Sequence, residues 1–258
     1  PDAQRRFRVM DDIDALRQAL EYPWEQWTVF LHPAQRVLVE RDYNGPARVA
    51  GSAGTGKTVV ALHRAVHLAR KLPKARVLLT TFDDALARAL ETKLDRLVGH
   101  EPDVRSRIVV EGIDAVARRT IEGAGESVEI ADPDTVRRWL RDAAAGHEHR
   151  FPMRFLEAEW WDVVDAWGLD TWEAYRDVPR LGRKTRLGEK QRETFWSIAE
   201  GVRSQLASQG LSTPAGAFVE AGKLLAEGKV EPPFDVAVVD EAQDIGVTAL
   251  RFLAALAG

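Results

Sequence analysis

No cysteine occurs among the 258 residues, so the chain can form neither disulfides nor thiolate metal sites. That composition fits a reducing cytoplasm, and a cytoplasmic location is the expectation. No apolar run approaches the roughly 18 residues that a membrane span requires, and no signal-peptide pattern opens the chain, so no membrane partner is expected. An excess of positive charge is lacking too. With a formal net charge of −4, any contact with nucleic acid must come from local patches rather than from the chain as a whole. No internal repeat is evident, which excludes solenoid and propeller arrays. The chain begins at Pro1 without an initiator methionine and stops within an apolar helical pattern, Val247 to Ala257, so both ends read as cut.

What is present is an ordinary globular composition, 45% hydrophobic and 29% charged, in a length that suits one large domain or a domain with an inserted subdomain. Residues Asp12 to Glu21 carry a helical stripe of Ile13, Leu16 and Leu20, and Trp24 and Trp27 open an apolar stretch that continues through Val29, Phe30 and Leu31. After the turn signal Asn44-Gly45-Pro46, Ala47 to Ala50 reads as a short strand entering Gly51. A helix over Lys57–Lys71, a buried strand over Val77–Thr81, a helix over Asp84–Val98, a strand over Ile108–Val110 and helical Ala115–Arg119 then alternate. That rhythm predicts an α/β fold with a parallel sheet covered by helices on both faces.

The rhythm breaks near Thr120. A Gly- and Glu-rich loop leads to a helix capped by Asp132-Pro133 and running to Ala145. Phe155–Trp167 and Thr171–Tyr175 read as helical and hold Trp160, Trp161, Trp167 and Trp172, which suit a core better than a binding face. A long helix over Glu189–Gln209 ends at Gly210, Thr213-Pro214 opens another, and only Phe234–Val239 returns to a buried strand. The pair His147 and His149 lacks a third ligand and reads as a surface loop.

Two segments carry chemistry. Gly51-Ser52-Ala53-Gly54-Thr55-Gly56-Lys57-Thr58 fits the phosphate-loop pattern between a predicted strand and a predicted helix. Its glycines let backbone N–H groups converge on phosphates at a helix N-terminus. Lys57 would reach the β- and γ-phosphates, and the Thr58 hydroxyl would ligate Mg²⁺. The second is Val236-Ala237-Val238-Val239-Asp240-Glu241-Ala242-Gln243-Asp244, an apolar strand ending in carboxylates at the edge where parallel sheets bind ligands. Asp240 suits the metal shell, and Glu241 suits the orientation and polarisation of an attacking water.

In this order, with Thr80-Thr81-Phe82 between them, the segments resemble the UvrD/Rep-like superfamily 1 helicases; the Asp-Glu-x-Gln-Asp form of the second is the discriminating piece. The resemblance implies a RecA-like ATP-binding domain at 30–119 and 207–258, a helical inserted subdomain at 120–206 and an N-terminal flank at 1–29. It implies ATP and Mg²⁺ as cofactors, Gln243 among the catalytic residues with Lys57, Asp240 and Glu241, and Gln35 of Leu31–Arg36 as a reader of the adenine edge. It further implies single-stranded DNA, with a duplex junction, as partner, contacted by Thr81 and by Phe82 as a stacking platform. Gly112-Ile113-Asp114 departs from the family's next strand-contact motif, and Val59 replaces the arginine often found after the loop's threonine. Between Arg176 and Arg192 a local excess of five positive charges makes Arg180, Arg183, Lys184 and Arg186 the candidate phosphate contacts.

The resemblance also implies a second RecA-like domain carrying charge-stabilising arginines, and a strand lying between the phosphate-loop strand and the Asp240 strand. Neither is in this sequence, so slow hydrolysis, no unwinding by the chain alone and a gap in the sheet are expected. Two other readings share these motifs: a nucleotide-gated nucleic-acid-binding module, and an RNA-directed P-loop ATPase.

Overall fold

The computed structural model describes residues 29–179 and 187–257. The expected helix Asp12–Glu21, with Trp24 and Trp27, lies outside them. In chain order the elements are α1 (Pro33–Glu40), α2 (Lys57–Lys71), β1 (Val77–Thr81), α3 (Asp84–Val98), α4 (Pro102–Arg105), β2 (Ile108–Gly112), α5 (Ile113–Gly123), β3 (Glu129–Ile130), α6 (Pro133–Ala145) and α7 (Met153–Glu159). A π-helix (Trp160–Asp165) comes next, then α8 (Trp172–Asp177), α9 (Glu189–Ser208), β4 (Leu211–Ser212), α10 (Pro214–Ala226), β5 (Val236–Val239), a 3₁₀ turn (Ala242–Asp244) and α11 (Val247–Leu256). The fold is α/β, with a sheet flanked by helices, as a RecA-like architecture requires. The chain divides into two compact units, Pro1–Glu111 with Val236–Glu241, and Gly112–Asp235 with Ala242–Gly258.

The first unit is built on a sheet of order β2-β1-β5. All five residues of β1 are buried, so this central strand needs apolar or hydrogen-bonded side chains on both faces. Strand β5 runs parallel to it, with Val77 opposite Val236 and Thr80 opposite Val239. Leu62, Ala65, Val66 and Ala69 repeat at helical spacing along α2 and pack with Val77, Leu79, Leu90, Leu94 and Ile108, while Val236 and Val238 of β5 lie against the same core. Helix α3 starts where Asp83 accepts from the N–H groups of Ala85 (2.7 Å) and Leu86 (2.9 Å), a side-chain cap worth about 1 kcal/mol.

The expected strand Ala47–Ala50 does not form. Those residues are exposed, Val49 by 39%, and have no strand partner among the described residues. Strand β5 in turn has a free border, since β1 is its one neighbour among the described residues, and all four of its residues are only half-buried. A run of four residues becomes a strand through its neighbours more than through its own preference, and here no neighbour is supplied.

In the second unit the core gathers Val136, Trp139 and Leu140 of α6, Leu156, Trp160, Val163 and Val164, Tyr175, and Phe195, Trp196, Ile198 and Val202 of α9. Trp161, Trp167 and Trp172 pack against it partly buried, so these tryptophans are core material. Asp132 and Pro133 start α6 as their sequence suggests, with Asp132 accepting from the Thr135 N–H at 3.3 Å. Helix α10 packs on α5 and on α11. The loop after the π-helix meets α10 and α11 at Gly168 (φ 61°), where a Cβ would lie 2.7 Å from Val219 Cγ2 and 3.1 Å from Thr248 Cγ2.

Candidate functional site

The glycine-rich segment Gly51–Gly56 turns the chain into α2. Gly56 is the N-cap with φ 81°, left-handed backbone that a side chain disfavours, and a Cβ there would stand 2.8 Å from Gln35 Nε2. Gly51 is required by proximity: a Cβ would come within 2.6 Å of Thr55 Oγ1, which donates to Ser52 O at 2.9 Å. The N–H groups of Lys57 and Thr58, in the first turn of α2, have no intrahelical partner, and no side chain among the described residues caps that turn. Together with the helix dipole they form a seat for an anion. The Lys57 ammonium donates to Gly51 O (3.2 Å) and Ser52 O (3.1 Å), folding back over the loop. Phosphate oxygens can replace those neutral acceptors with anionic ones, which adds the attraction of opposite charges to bonds whose donor is already ionised.

Which end of the sheet this seat occupies is settled by the opposite end of α2. Arg107, one residue before β2, donates to Ala69 O and to Leu72 O (2.9 Å), closing the C-terminal turn of α2. The same residue's carbonyl accepts from Val77 N–H at 2.9 Å, at the start of β1. The C-terminus of α2 therefore sits with the N-termini of β1 and β2. A helix of 15 residues is about 22 Å long. Packed along β1 and β5, it carries Lys57 and Thr58 back to the end where β1 and β5 finish.

At that end stand the two acids. Asp240 is buried, its N–H donating to Thr80 O at 2.8 Å, so the carboxylate is held where β5 leaves the sheet. Glu241 comes next with φ 53°, the single non-glycine residue in left-handed backbone among those described. Such a conformation costs on the order of 1 kcal/mol or more, and the sequence has no glycine or asparagine there to relieve it. Thr58 and Asp240 offer oxygen, the donor type that magnesium takes. Among the described residues no group of three or more metal-type side chains exists.

Gln35, at the third position of α1, is engaged at both ends of its amide. Its Oε1 accepts from His32 N–H (3.0 Å) and its Nε2 donates to Thr55 O (2.8 Å) on the glycine-rich loop. The first contact is half of a capping box, completed by Ala34 N–H donating to His32 Nδ1 at 3.1 Å. Sequence reading missed both this brace and Arg107. The brace had a faint signal, a glutamine three residues after a potential cap, obscured because the cap is histidine rather than serine or threonine.

Other expected site residues are placed less directly. Gln243 lies in the 3₁₀ turn of the second unit, with its Nε2 donating to Asp244 Oδ2 at 3.0 Å. Thr81 is fully buried and its hydroxyl has no hydrogen-bond partner among the described residues, so from this position its side chain offers nothing to a ligand at the surface. Phe82, the next residue, is 36% exposed. Arg180, Arg183, Lys184 and Arg186 lie outside the described residues. His147 and His149 are occupied locally, by Ala143 O (2.9 Å) and by Phe151 N–H (3.0 Å).

No helix among the described residues is long and apolar enough to cross a membrane. No curated protein matches the sequence. The family model described as UvrD/REP helicase N-terminal domain matches residues 31–258.

Proposed function

The chain belongs to the UvrD/REP helicase N-terminal domain family, and from that premise we propose that it binds and hydrolyses ATP to drive movement along single-stranded DNA and strand separation. Family membership supplies the helicase motor and its nucleic-acid partner in outline. The observation that carries the finer reading is the placement of Lys57 and Thr58 at the same end of the sheet as Asp240 and Glu241.

In this reading the uncapped N-terminus of α2, the Gly51–Gly56 N–H groups and Lys57 hold the β- and γ-phosphates. Thr58 and Asp240 hold magnesium, which supplies charge neutralisation on the transferring phosphoryl when bound. Glu241 accepts a hydrogen bond from the attacking water and aims its lone pair at the γ-phosphorus. Gln35 reads the adenine edge, and Gln243 is assigned a catalytic role on the strength of the family resemblance alone. Phe82 offers a ring on which a base stacks, a contact indifferent to base identity. Arg180, Arg183, Lys184 and Arg186 are the proposed phosphate contacts of the second unit.

Calorimetric binding of MgATP and single-turnover hydrolysis, with and without oligo-dT, test the division of roles. Lys57→Ala is expected to weaken binding by about tenfold or more, through the loss of a charge-assisted contact. Glu241→Gln should bind like the parent and turn over about 10²- to 10⁴-fold more slowly. Equal loss of affinity in both variants would overturn the assignment. Stimulation by RNA in place of DNA would favour the RNA-directed motor, and indifference of turnover to either would favour a nucleotide-gated binding module.

A further inference from the structure

We infer that Arg64 is a positioning residue that sets which nucleobase the site accepts, by fixing the short helix that carries Gln35. The inference rests on the reading of Gln35 as the base contact. Helix α1 has eight residues, of which Val39 alone is buried. A helix that short has little stability of its own, so its position is decided by what holds its two ends.

The N-terminal end is held by Gln35 on the phosphate loop. The C-terminal end is held by Arg64, which projects from α2. One nitrogen of its guanidinium donates to Val39 O (2.5 Å) and Arg41 O (2.8 Å), answering carbonyls that the end of α1 leaves without intrahelical partners. The guanidinium also lies 5.1 Å from the centre of the Tyr43 ring, and the Tyr43 hydroxyl donates to Leu38 O at 3.1 Å. Lys71 pairs with Asp42 two turns further along α2. Lys57 and Arg64 stand seven positions, about 10 Å, apart on one helix. Helix α2 thus spans the phosphate-binding ammonium and the anchor of α1, and the circuit closes through Gln35 and Thr55.

This circuit locks the polarity of the Gln35 amide. The His32 N–H demands an acceptor on one side and Thr55 O demands a donor on the other, so a flipped amide would set like against like at both. One N–H and one lone pair remain. That pair complements the N6–H and N7 edge of adenine, whereas guanine offers two acceptors, O6 and N7, and would leave the remaining Gln35 lone pair facing another. Base preference then requires α1 to stay in register with the loop, which is the work of Arg64.

The test measures dissociation constants of the purified chain for MgADP, MgGDP and magnesium pyrophosphate, the last probing the phosphate seat alone. The parent should prefer ADP over GDP by about tenfold or more. Arg64→Met, which keeps the stem and removes the donors, should bring that preference to within about twofold while leaving pyrophosphate affinity within about twofold. Gln35→Ala should remove the preference as well, and adding Arg64→Met to it should change the ratio no further, as two residues acting on one contact require. Arg64→Lys, the milder change, should retain an intermediate preference.

If Gln35→Ala removes the preference and Arg64→Met keeps it, the Arg64 inference fails and the Gln35 reading stands. A parent without preference, or one whose preference survives Gln35→Ala, overturns both. A parallel fall in ADP and pyrophosphate affinity in Arg64→Met would show a merely structural arginine. Should Arg64→Met not fold, an unchanged preference in Arg64→Lys refutes the inference and a reduced one at constant pyrophosphate affinity supports it.

Discussion

Replacing Asp165 with asparagine should remove a pH dependence from the stability of the second unit. Asp165 closes the π-helix and is half-buried, and desolvation pushes its carboxyl up from the ordinary 3.8 to about 6. The hydroxyl of Thr213 donates to it and opposes that rise; the same hydroxyl oxygen accepts from Gly216 N–H at 2.9 Å, capping α10. Because the folded state holds the proton more tightly than the unfolded one, the stabilisation is complete below pH 3.8 and is lost as pH rises through about 6. At about 1.4 kcal/mol per pH unit, a rise from 3.8 to about 6 corresponds to about 3 kcal/mol between the two limits. Asparagine keeps the shape and the acceptor for Thr213 but carries no charge at any pH. Urea unfolding followed by tryptophan fluorescence reports on this unit, since Trp160 and Trp196 sit in its core. The variant should be the more stable protein at pH 8, by up to about 3 kcal/mol, and the two should converge near pH 4. A difference that stays constant from about pH 4 to 8 would refute the burial argument, as would a variant less stable than the parent at pH 8.

Phe82→Ala should weaken oligo-dT binding by anisotropy about five- to hundredfold, with little change in melting temperature because the ring is exposed; a large loss of stability with unchanged binding would return Phe82 to the core. Gly168→Ala should destabilise the second unit by about 1–3 kcal/mol, since it adds left-handed strain to a contact with Val219 and Thr248, and an unchanged urea midpoint would contradict that packing. Arg107→Met should cost about 2 kcal/mol in the first unit by freeing the carbonyls of Ala69 and Leu72, and a change below about 0.5 kcal/mol would show that water replaces the arginine without loss.

Helices and the buried strand around the phosphate loop were legible because their signals are local. Lys57–Lys71, Val77–Thr81 and Asp84–Val98 begin and end where sequence reading puts them, each bounded by glycine, a polar cap or a change of period. Ala47–Ala50 was not legible as an unpaired segment, because pairing is a property of neighbours and its residue types suit a strand. At Trp160–Asp165 the spacing predicts ordinary helix where the chain forms a π-helix, since one widened turn leaves the apolar spacing nearly intact. Of the candidate site, the residue types single out the glycine-rich loop and the acids as candidates. They could not show the left-handed backbone of Glu241, the double engagement of Gln35, or the burial of Thr81 beside an exposed Phe82.

An engineer seeking a hardier chain would scan for side chains sitting where glycine is at ease, and among the described residues would find position 241 alone. Glycine there would spare the backbone its discomfort and would pass any screen based on heat or denaturant. It would also delete the carboxylate proposed to aim the water. On the proposed role of Glu241, improvement by that route trades turnover for sturdiness, and a programme of thermal hardening on this chain should hold position 241 fixed from the outset.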